Sequence, residues 1–251
     1  MFDRRELPSP VKRLFDIIVS ASALILLLPL LLLVGLVSRI LLGPGILFSQ
    51  TRIGFNERPF RIRKFRTMLD ARDQDGKLLP DEVRLTPYGK LLRATSIDEL
   101  PGLWNVLVGE MSLVGPRPLL VHYLERYSST QRRRHSVRPG ITGLAQVKGR
   151  NAVTWEERLA WDVKYVDQRS FFGDLRILLD TAVVVLSRHG ISNPGSATMT
   201  EFLGSPDRDS EAPAPQGDSA PDQEREPPDI RKQAGQAETI RANAYRPNLG
   251  G

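Results

Sequence analysis

The stretch IIVSASALILLLPLLLLVGLVS, residues 17–38, decides the fold of this chain, and its 22 positions contain no charged side chain. As a straight helix at ~1.5 Å per residue it would be roughly 33 Å long, about the thickness of the hydrocarbon core of a bilayer. The stretch is too long for the apolar region of a signal peptide, and no small-residue cleavage site follows it. We therefore interpret it as a retained membrane segment.

A proline near the middle of this stretch, Pro29, decides how the segment would meet a membrane. Proline removes a backbone donor and clashes with the preceding turn, so it kinks or breaks a helix. Basic residues flank the stretch on both sides, so the positive-inside rule selects no orientation. On pattern alone two interpretations remain. One is a kinked span, which is the simpler; the other is a re-entrant segment that breaks at Pro29 and keeps both ends on the cytoplasmic side.

The composition limits the classes of protein to which the chain can belong. Its 251 residues suffice for one sizeable domain with additional segments. The absence of cysteine excludes a disulfide framework and a thiolate metal site. Residues 1–193 carry 29 Lys and Arg against 19 Asp and Glu, a net charge of +10, whereas residues 194–251 carry 6 against 10, a net charge of −4. A basic body favours an anionic partner, such as a membrane surface, phosphate or nucleic acid.

Changes of composition along the chain predict three regions. Residues 1–44 form an N-terminal segment with the membrane anchor, and residues 45–193 have the mixed pattern of a folded domain. Residues 194–251 include eight prolines among 58 positions together with many polar and acidic residues. That composition is typical of a disordered tail.

Hydrophobic periodicity predicts the elements of the folded domain. Residues 46–54 and 58–68 are predicted as two short strands joined by a turn, a β-hairpin, because apolar and charged residues alternate in the second stretch. Helical spacing predicts four helices, at residues 90–94, 99–107, 155–168 and 174–188. Ser96 or Asp98 is expected to cap the second of these. The predicted fold class is α/β, mixed but mainly helical, with a re-entrant or spanning anchor, a short β-hairpin and amphipathic interfacial helices.

The stretch SIDELPGLWN, residues 96–105, places two carboxylates side by side, Asp98 and Glu99. Acidic residues are favoured in the first turn of any helix, so the pair alone indicates no more than a helix start. Clusters containing basic residues elsewhere in the domain change that interpretation. They are RKFRTM at residues 63–68, SLVGPRP at residues 112–118 and RPGITGLAQVKGR at residues 138–150. Prolines on both sides of Arg117 restrict its backbone, and a guanidinium so held is suited to forked hydrogen bonds to phosphate.

The order of these motifs resembles the bacterial sugar transferase family, and in particular its small form, the monotopic phosphoglycosyl transferases that act on polyprenyl phosphate. The resemblance rests on KFRTM, then LRxTSIDELPxLxNVLxGxMSLVGPRP, then RPGITGxxQVxGR, and it covers residues 12–191. It implies that the apolar segment is a re-entrant helix-break-helix anchor with its break at Pro29. A small residue often precedes this proline in the family, where the present chain has Leu28.

The same resemblance implies a reaction and its site. Sugar-1-phosphate would pass from a UDP-sugar to undecaprenyl phosphate, with Mg²⁺ required and UMP released, as the initiating step of surface polysaccharide or glycan synthesis. Asp98 is implied as the nucleophile that forms a covalent phospho-sugar intermediate, and Asp98 and Glu99 as magnesium ligands. The implied phosphate- or substrate-binding residues are Lys64, Arg66, Arg93, Arg117 and Gln146. The implied location is the cytoplasmic face of the bacterial inner membrane.

Other classes of protein share some of these features. A non-enzymatic membrane adaptor with a single span, a basic cytosolic domain and an acidic tail is the main alternative. Nucleic acid is not an expected partner, because the basic run QRRRH at residues 131–135 has no interleaved aromatic side chains on which bases could stack. We interpret that run as solvated or facing lipid headgroups. A homo-oligomer is compatible with the sequence.

Overall fold

The computed structural model describes residues 10–148, 153–186 and 201–204, which form a mainly helical protein with two small two-stranded sheets. The α-helices are α1 (Pro10–Leu26), α2 (Leu28–Leu42), α3 (Asp81–Arg84), α4 (Pro87–Ala94), α5 (Leu103–Val108), α6 (Ser129–Arg132), α7 (Leu144–Lys148), α8 (Trp155–Gln168) and α9 (Phe171–Leu186). The strands are β1 (Leu47–Ile53), β2 (Pro59–Phe65), β3 (Ser112–Val114) and β4 (Gly140–Thr142). Segments of 3₁₀-helix lie at Phe55–Glu57, Ile97–Gly102, Val121–Arg126 and Arg133–Ser136.

The apolar N-terminal stretch forms two helices, α1 and α2, that meet at Leu27 with a bend of 61°. Pro29 lies in the first turn of α2, where proline is tolerated because an N–H there would have no helical partner. The predicted break is thus present, two residues before Pro29. Among the described helices, none alone is long and apolar enough to cross a membrane, whereas the bent pair together reaches that length and apolarity.

Polar contacts attach the first half of α1 to the rest of the protein. Asp16 is 2% exposed and accepts hydrogen bonds from Ser112 Oγ (2.8 Å) and Leu113 N (3.2 Å). Lys12 forms an ion pair with Asp174 of α9. Because a buried carboxylate is costly unless it is hydrogen-bonded, these contacts fix the direction in which α1 leaves the body.

The predicted β-hairpin is present as the antiparallel pair β1 and β2. Its turn has Asn56 and Glu57 at φ angles of 51° and 59°, and Arg58 N donates to Phe55 O at 3.1 Å. Two successive positive φ angles closed by this bond are the geometry of a type I′ turn, whose twist matches that of the flanking strands. The second sheet, the parallel pair of β3 and β4, was not predicted from the sequence.

The predicted helices are present with shifted bounds. The helix predicted at residues 155–168 is α8, and it begins at a capping box in which Thr154 and Glu157 each bind the other's backbone N–H. The helix predicted at residues 174–188 is α9, which begins three residues earlier. The helix predicted at residues 90–94 lies within α4, which begins at Thr86 as its N-cap.

The predicted helix at residues 99–107 is instead two elements, the 3₁₀ segment Ile97–Gly102 followed by α5. The predicted cap at Ser96 is wrong: Ser96 has a φ of 58° and makes no capping hydrogen bond through its side chain. Asp98 lies inside the 3₁₀ segment and does not cap it. Pro101 lies within the same segment.

The interpretation of the basic run at residues 131–135 as solvated is wrong for two of its members. Arg134 and His135 are 2% and 4% exposed. Burial, followed by the charge of Arg134, lowers the pKa of His135 to about 3, so the imidazole is neutral at physiological pH. A sequence of three arginines and a histidine thus includes a buried cation that needs a partner.

Four residues of the predicted tail, 201–204, lie against the folded body. Phe202 is 1% exposed and packs against the rings of Tyr123, Tyr127 and Trp155, with ring centroids 5.3–5.7 Å apart. We call these four rings the aromatic cluster. The prediction of disorder for residues 194–200 and 205–251 falls outside the described residues.

Candidate functional site

The carboxylate pair lies on the 3₁₀ segment Ile97–Gly102. Successive side chains of a 3₁₀-helix diverge by about 120°, since it has three residues per turn. Asp98 and Glu99 therefore point into different surroundings although they are neighbours in the chain. Asp98 is 7% exposed.

A buried asparagine fixes this segment against the hairpin. Asn105, at the start of α5, accepts a hydrogen bond from Arg63 N at 3.1 Å and donates to Arg61 O at 2.8 Å. Its amide also donates to Glu110 Oε2 at 2.6 Å. Since Arg63 precedes Lys64 on β2, these bonds set the distance between Lys64 and the carboxylate pair.

Two cations hold Glu99. Lys64 Nζ lies 2.6 Å from Glu99 Oε1, and Arg117 donates through Nη2 to Oε1 at 2.6 Å and through Nη1 to Oε2 at 3.4 Å. Burial alone would raise the pKa of Glu99, but the charges of Arg117 and Lys64 outweigh it and hold that pKa well below its usual range. Glu99 is thus ionised and held in one orientation.

Asp98 has no comparable partner. In the described part of the chain, no side chain or backbone group forms a hydrogen bond or ion pair with its carboxylate. Burial, followed by the negative charge of Glu99, raises the pKa of Asp98 to about 6. A buried carboxylate with a raised pKa and no structural partner is a candidate functional group.

Glu99 faces a pocket with an excess of positive charge. Residues from the hairpin, from the 3₁₀ segment and from the segments around β3 and β4 line it: Arg52, Ile62, Arg63, Lys64, Glu99, Gly102, Met111, Arg117, Pro118, Leu119, Gly140 and Ile141. Arg52, Arg63, Lys64 and Arg117 carry four positive charges against the single negative charge of Glu99. Such a pocket is suited to an anion with more than one negative charge.

A buried ion pair supports Arg117 from behind. Arg134 donates to Arg117 O at 2.6 Å and to Asp162 Oδ2 at 2.8 and 3.1 Å. The side chains of Arg134 and Asp162 are 1% and 2% exposed. Asp162 thus has a structural role, because it holds the guanidinium that binds the backbone of Arg117.

Backbone contacts hold the Pro116–Arg117–Pro118 turn on its other side. Gly115 N donates to Thr142 O at 2.9 Å, and Gly140 N donates to Pro116 O at 3.0 Å. A Cβ atom built on Gly140 would lie 2.1 Å from Gly115 N, so only glycine permits this approach. The glycine-rich motif thus serves the packing of β4 against the turn that carries Arg117.

The other predicted phosphate-binding residues lie in three places. Arg93 donates through Nε to Thr67 Oγ1 at 3.0 Å, and its charge lowers the pKa of Asp98, which places it near the carboxylate pair. Arg66 donates to Leu42 O at the end of α2. Gln146 donates to Ile141 O at 2.9 Å. Neither Arg66 nor Gln146 lines the pocket around Glu99. Their predicted roles stay predictions.

Sequence reasoning missed Arg52 and Arg134. Alternation along β1 was the available signal for Arg52, because it places Arg52 on the partly buried side of the strand, next to buried Ile53. Arg134 gave no signal, since its partner Asp162 is 28 positions away.

A magnesium ion would find few protein ligands at this site. The described ranges contain no group of three acidic or histidine side chains placed to hold a metal. Glu99 is already bound by Lys64 and Arg117. Mg²⁺ commonly takes only one or two carboxylates and completes its shell with water and substrate phosphate oxygens, and Asp98 fits that mode.

A buried carboxylate, an adjacent carboxylate held by two cations and a basic pocket are together suited to a phosphorylated ligand. The model of the family described as bacterial sugar transferase matches residues 7–188, and the chain belongs to that family. It is 51% identical over 197 residues to the uncharacterized sugar transferase EpsL of Bacillus subtilis (strain 168), covering 78% of this chain and 98% of that protein.

Two further relatives have more specific names. The exopolysaccharide production protein ExoY of Sinorhizobium fredii (strain NBRC 101917 / NGR234) is 40% identical over 195 residues, covering 70% of this chain and 86% of the relative. The UDP-glucose:undecaprenyl-phosphate glucose-1-phosphate transferase of Klebsiella pneumoniae is 41% identical over 181 residues, covering 68% of this chain. The aligned region spans only 39% of the Klebsiella protein.

Proposed function

We propose that this protein transfers sugar-1-phosphate from a UDP-sugar to undecaprenyl phosphate, giving undecaprenyl-diphosphate-sugar and UMP. The observation that carries the proposal is the contrast between Asp98, buried without a hydrogen-bond or ion-pair partner among the described residues, and Glu99, held by Lys64 and Arg117. A Klebsiella relative whose name states this donor and acceptor class supports the choice of substrates. The product would begin the synthesis of a surface polysaccharide or glycan.

The reaction proceeds in two displacements at phosphorus. In the first, an Asp98 carboxylate oxygen attacks the donor phosphate that bears the sugar, an Oδ–P bond forms, and the bond to the bridging oxygen breaks to release UMP. In the second, an oxygen of undecaprenyl phosphate attacks the same phosphorus and the Asp98 carboxylate leaves. The first step needs Asp98 ionised, which holds above pH ~6, and in the second step the carboxylate leaves as the anion.

The neighbouring residues position the phosphates and offset their charge. Arg117 and Lys64 line the pocket, and although Asp98 is not among the lining residues, the charges of both cations act on its carboxylate. Both can donate to phosphate oxygens, which is most of what phosphoryl transfer requires of a protein. Glu99 orients these two cations. Mg²⁺, held by the Asp98 carboxylate and the donor phosphates, would supply further neutralisation of the phosphate charge.

We place the protein on the cytoplasmic face of the bacterial inner membrane, with α1 and α2 as a re-entrant anchor. Large apolar side chains at the bend support this: Ile25 and Leu26 are 73% and 79% exposed. Unpartnered apolar surface of this kind is typical of a contact with lipid. The basic body would favour anionic headgroups.

The activity is tested with purified full-length protein in nanodiscs, undecaprenyl phosphate, Mg²⁺ and a panel of UDP-sugars, with UMP release as the readout. We expect UMP release with at least one donor. Asp98→Asn should lower the rate of release by about 10³-fold or more, as the loss of a covalent nucleophile does in other enzymes. Asp75→Asn, at an exposed carboxylate, is the matched control and should retain activity. Failure of folded, lipid-bound protein to release UMP from any donor would favour the adaptor.

The anchor is tested separately by labelling with a membrane-impermeant maleimide. Because the chain has no cysteine, Ser9→Cys and Lys90→Cys each give a single reporter, one before α1 and one on the catalytic body. A re-entrant anchor leaves both reporters unlabelled in intact spheroplasts and labelled after lysis. Labelling of only one reporter from outside would indicate a span.

A further inference from the structure

The pocket contains a further cation, Arg52, that the sequence motifs do not assign to it. Arg52 lies on β1 opposite Phe60 of β2, with Gln50 opposite Ile62. Because side chains alternate across a strand, Gln50 and Arg52 share the hairpin face that carries buried Phe60 and Ile62, and Lys64 continues that face. The strand geometry thus directs Arg52 and Lys64 to the same side.

A backbone contact holds Arg52 beside Arg117. Ile53 N donates to Leu119 O at 3.1 Å, and Arg52 forms an isolated antiparallel bridge with Leu120. Leu119 follows the Pro116–Arg117–Pro118 turn by one position. Arg52 and Arg117 are therefore held next to each other on one wall of the pocket, and both line it.

The hydrogen-bonding groups of Arg52 are only partly used within the protein. Nη2 donates to Gln50 Oε1 at 2.6 Å, but Nε is buried and has no hydrogen-bond partner among the described residues. No carboxylate of those residues forms an ion pair with Arg52, in contrast to Lys64 and Arg117. Burial, followed by the charge of Arg117, lowers the pKa of Arg52 to about 10. A partly buried guanidinium that repels its neighbour and lacks a carboxylate is costly unless a ligand binds it.

We propose that Arg52 binds a phosphate group of the ligand, and that Arg52, Lys64 and Arg117 together form a site for a diphosphate. With Arg63, which also lines the pocket, the cations exceed the charge of Glu99 by three, and a diphosphate would offset most of that excess. Forked donation by a guanidinium suits phosphate oxygens, and Nε is free for such a bond. The proposed function is needed only to identify the diphosphate as that of a nucleotide-sugar donor.

The test uses the full-length protein and inorganic pyrophosphate, with binding measured by calorimetry in Mg²⁺-free buffer. We expect Arg52→Gln to weaken pyrophosphate binding tenfold or more. Arg52→Lys, which keeps the charge but lacks the fork, should weaken it by a smaller factor. Arg61→Gln, at an exposed arginine of β2, is the matched control and should change binding less than twofold.

The melting temperature separates a ligand-binding role from a structural one. Because Arg52 is partly buried without a carboxylate, Arg52→Gln should melt no lower than the wild type in the absence of ligand. Unchanged pyrophosphate binding in both Arg52 variants, or no binding by the wild type, overturns the proposal. A lower melting temperature with unchanged binding also overturns it, since Arg52 would then be structural.

The outcomes distinguish this proposal from the proposed function. Wild-type protein that binds pyrophosphate through Arg52 but releases UMP from no donor keeps the diphosphate site and removes the transferase reaction. If Arg52→Gln changes neither UMP release nor pyrophosphate binding, the transferase reaction is supported and the role of Arg52 in binding diphosphate is overturned.

Discussion

Asp98 and Glu99 are adjacent in the chain, yet their carboxyl pKa values move in opposite directions. Both groups lose water, which raises the pKa of each. Only Glu99 has two cations within 2.6 Å to reverse that effect. The negative charge of Glu99 then adds to the raised pKa of Asp98. One carboxylate thus orients the cations, while the other is left with a pKa close to neutral pH, as suits a reacting group.

A first prediction at this scale concerns the stability cost of Asp98. Its pKa is about 6 in the folded protein against an ordinary value of 3.8, so the folded state binds the proton more tightly. Ionisation of Asp98 therefore lowers the free energy of unfolding. This destabilisation is absent below pH ~3.8 and complete above pH ~6. Asp98→Asn should therefore raise the free energy of unfolding by on the order of 2–3 kcal/mol at pH 8 and have little effect at pH 3.5.

Urea unfolding in detergent at the two pH values measures this difference. The exposed control Asp75→Asn should show no comparable dependence on pH. A loss of stability at pH 8 in Asp98→Asn would show that the ionised carboxylate has a stabilising partner. That result would contradict the assignment of Asp98 as the nucleophile.

A second prediction compares two neighbouring ion pairs. Asp162→Ala leaves Arg134 as a buried charge without its carboxylate, which costs about 3–5 kcal/mol. Asp167→Ala removes the partner of Arg133 at the surface, where the side chains are 50% and 45% exposed, and should cost less than about 1 kcal/mol. Denaturant unfolding of both variants gives the comparison. Equal losses would mean that the buried pair does not stabilise the position of Arg117.

At the scale of elements, the turn of the β-hairpin carries an unfavourable residue. Glu57 occupies the second central position of a type I′ turn with a φ of 59°, where glycine is strongly preferred. Its only compensation among the described contacts is an exposed ion pair with Arg132 at 3.4 Å. Such a pair contributes little in water.

The third prediction follows from this turn. Glu57→Gly and Glu57→Ala both lose the contact with Arg132, but only glycine relieves the positive φ. Glu57→Gly should therefore be more stable than Glu57→Ala by about 1 kcal/mol. The melting temperatures of the two variants, measured side by side, test it. Equal stability would show that the left-handed conformation costs nothing here.

Elements with a long periodic pattern were predictable from the sequence, and short ones were not. Alternation along β2 indicated the hairpin, and apolar spacing gave α8 at its observed bounds. The segment Ile97–Gly102 is six residues long and contains Pro101. Over so few residues, the sequence pattern of an α-helix, with 3.6 residues per turn, cannot be distinguished from that of a 3₁₀-helix, with 3.0. The strands β3 and β4 have three residues each and pair across 28 positions, which leaves no local pattern.

At the scale of the whole molecule, the candidate site joins segments that are far apart in the chain. Glu99 meets Lys64 across 35 positions and Arg117 across 18. Periodicity carries no information about such contacts, and the resemblance alone brought these residues together in the sequence analysis. It did not include Arg52, whose place in the pocket depends on the pairing of β1 with β2 and with Leu120.

The aromatic cluster shows a further long-range contact, because Phe202 reaches the body from a region whose composition indicates disorder. Tyr123 and Tyr127 follow Leu119, and Leu119 both lines the pocket and packs in the same cluster. Arg126 adds a hydrogen bond to Glu201 Oε1 at 2.8 Å and another to Phe202 O. Residues 201–204 thus contact and stabilise residues 119–127, which follow the turn that carries Arg117. We call this contact the brace.

The fourth prediction is that this brace contributes to stability. Phe202→Ala should lower the free energy of unfolding of the full-length protein by about 3 kcal/mol, the lower end for a buried phenylalanine, because the segment can detach when the ring is lost. Leu203→Ala is the matched control, since Leu203 is 81% exposed and its loss should change stability by less than about 0.5 kcal/mol. Denaturant unfolding in detergent measures both. If the two variants are equally stable, Phe202 does not hold the segment in place, and the wall of the pocket depends on β1 alone. If only Phe202→Ala is destabilised, residues 201–204 of the predicted tail belong to the folded domain, and Phe202→Ala should also weaken pyrophosphate binding.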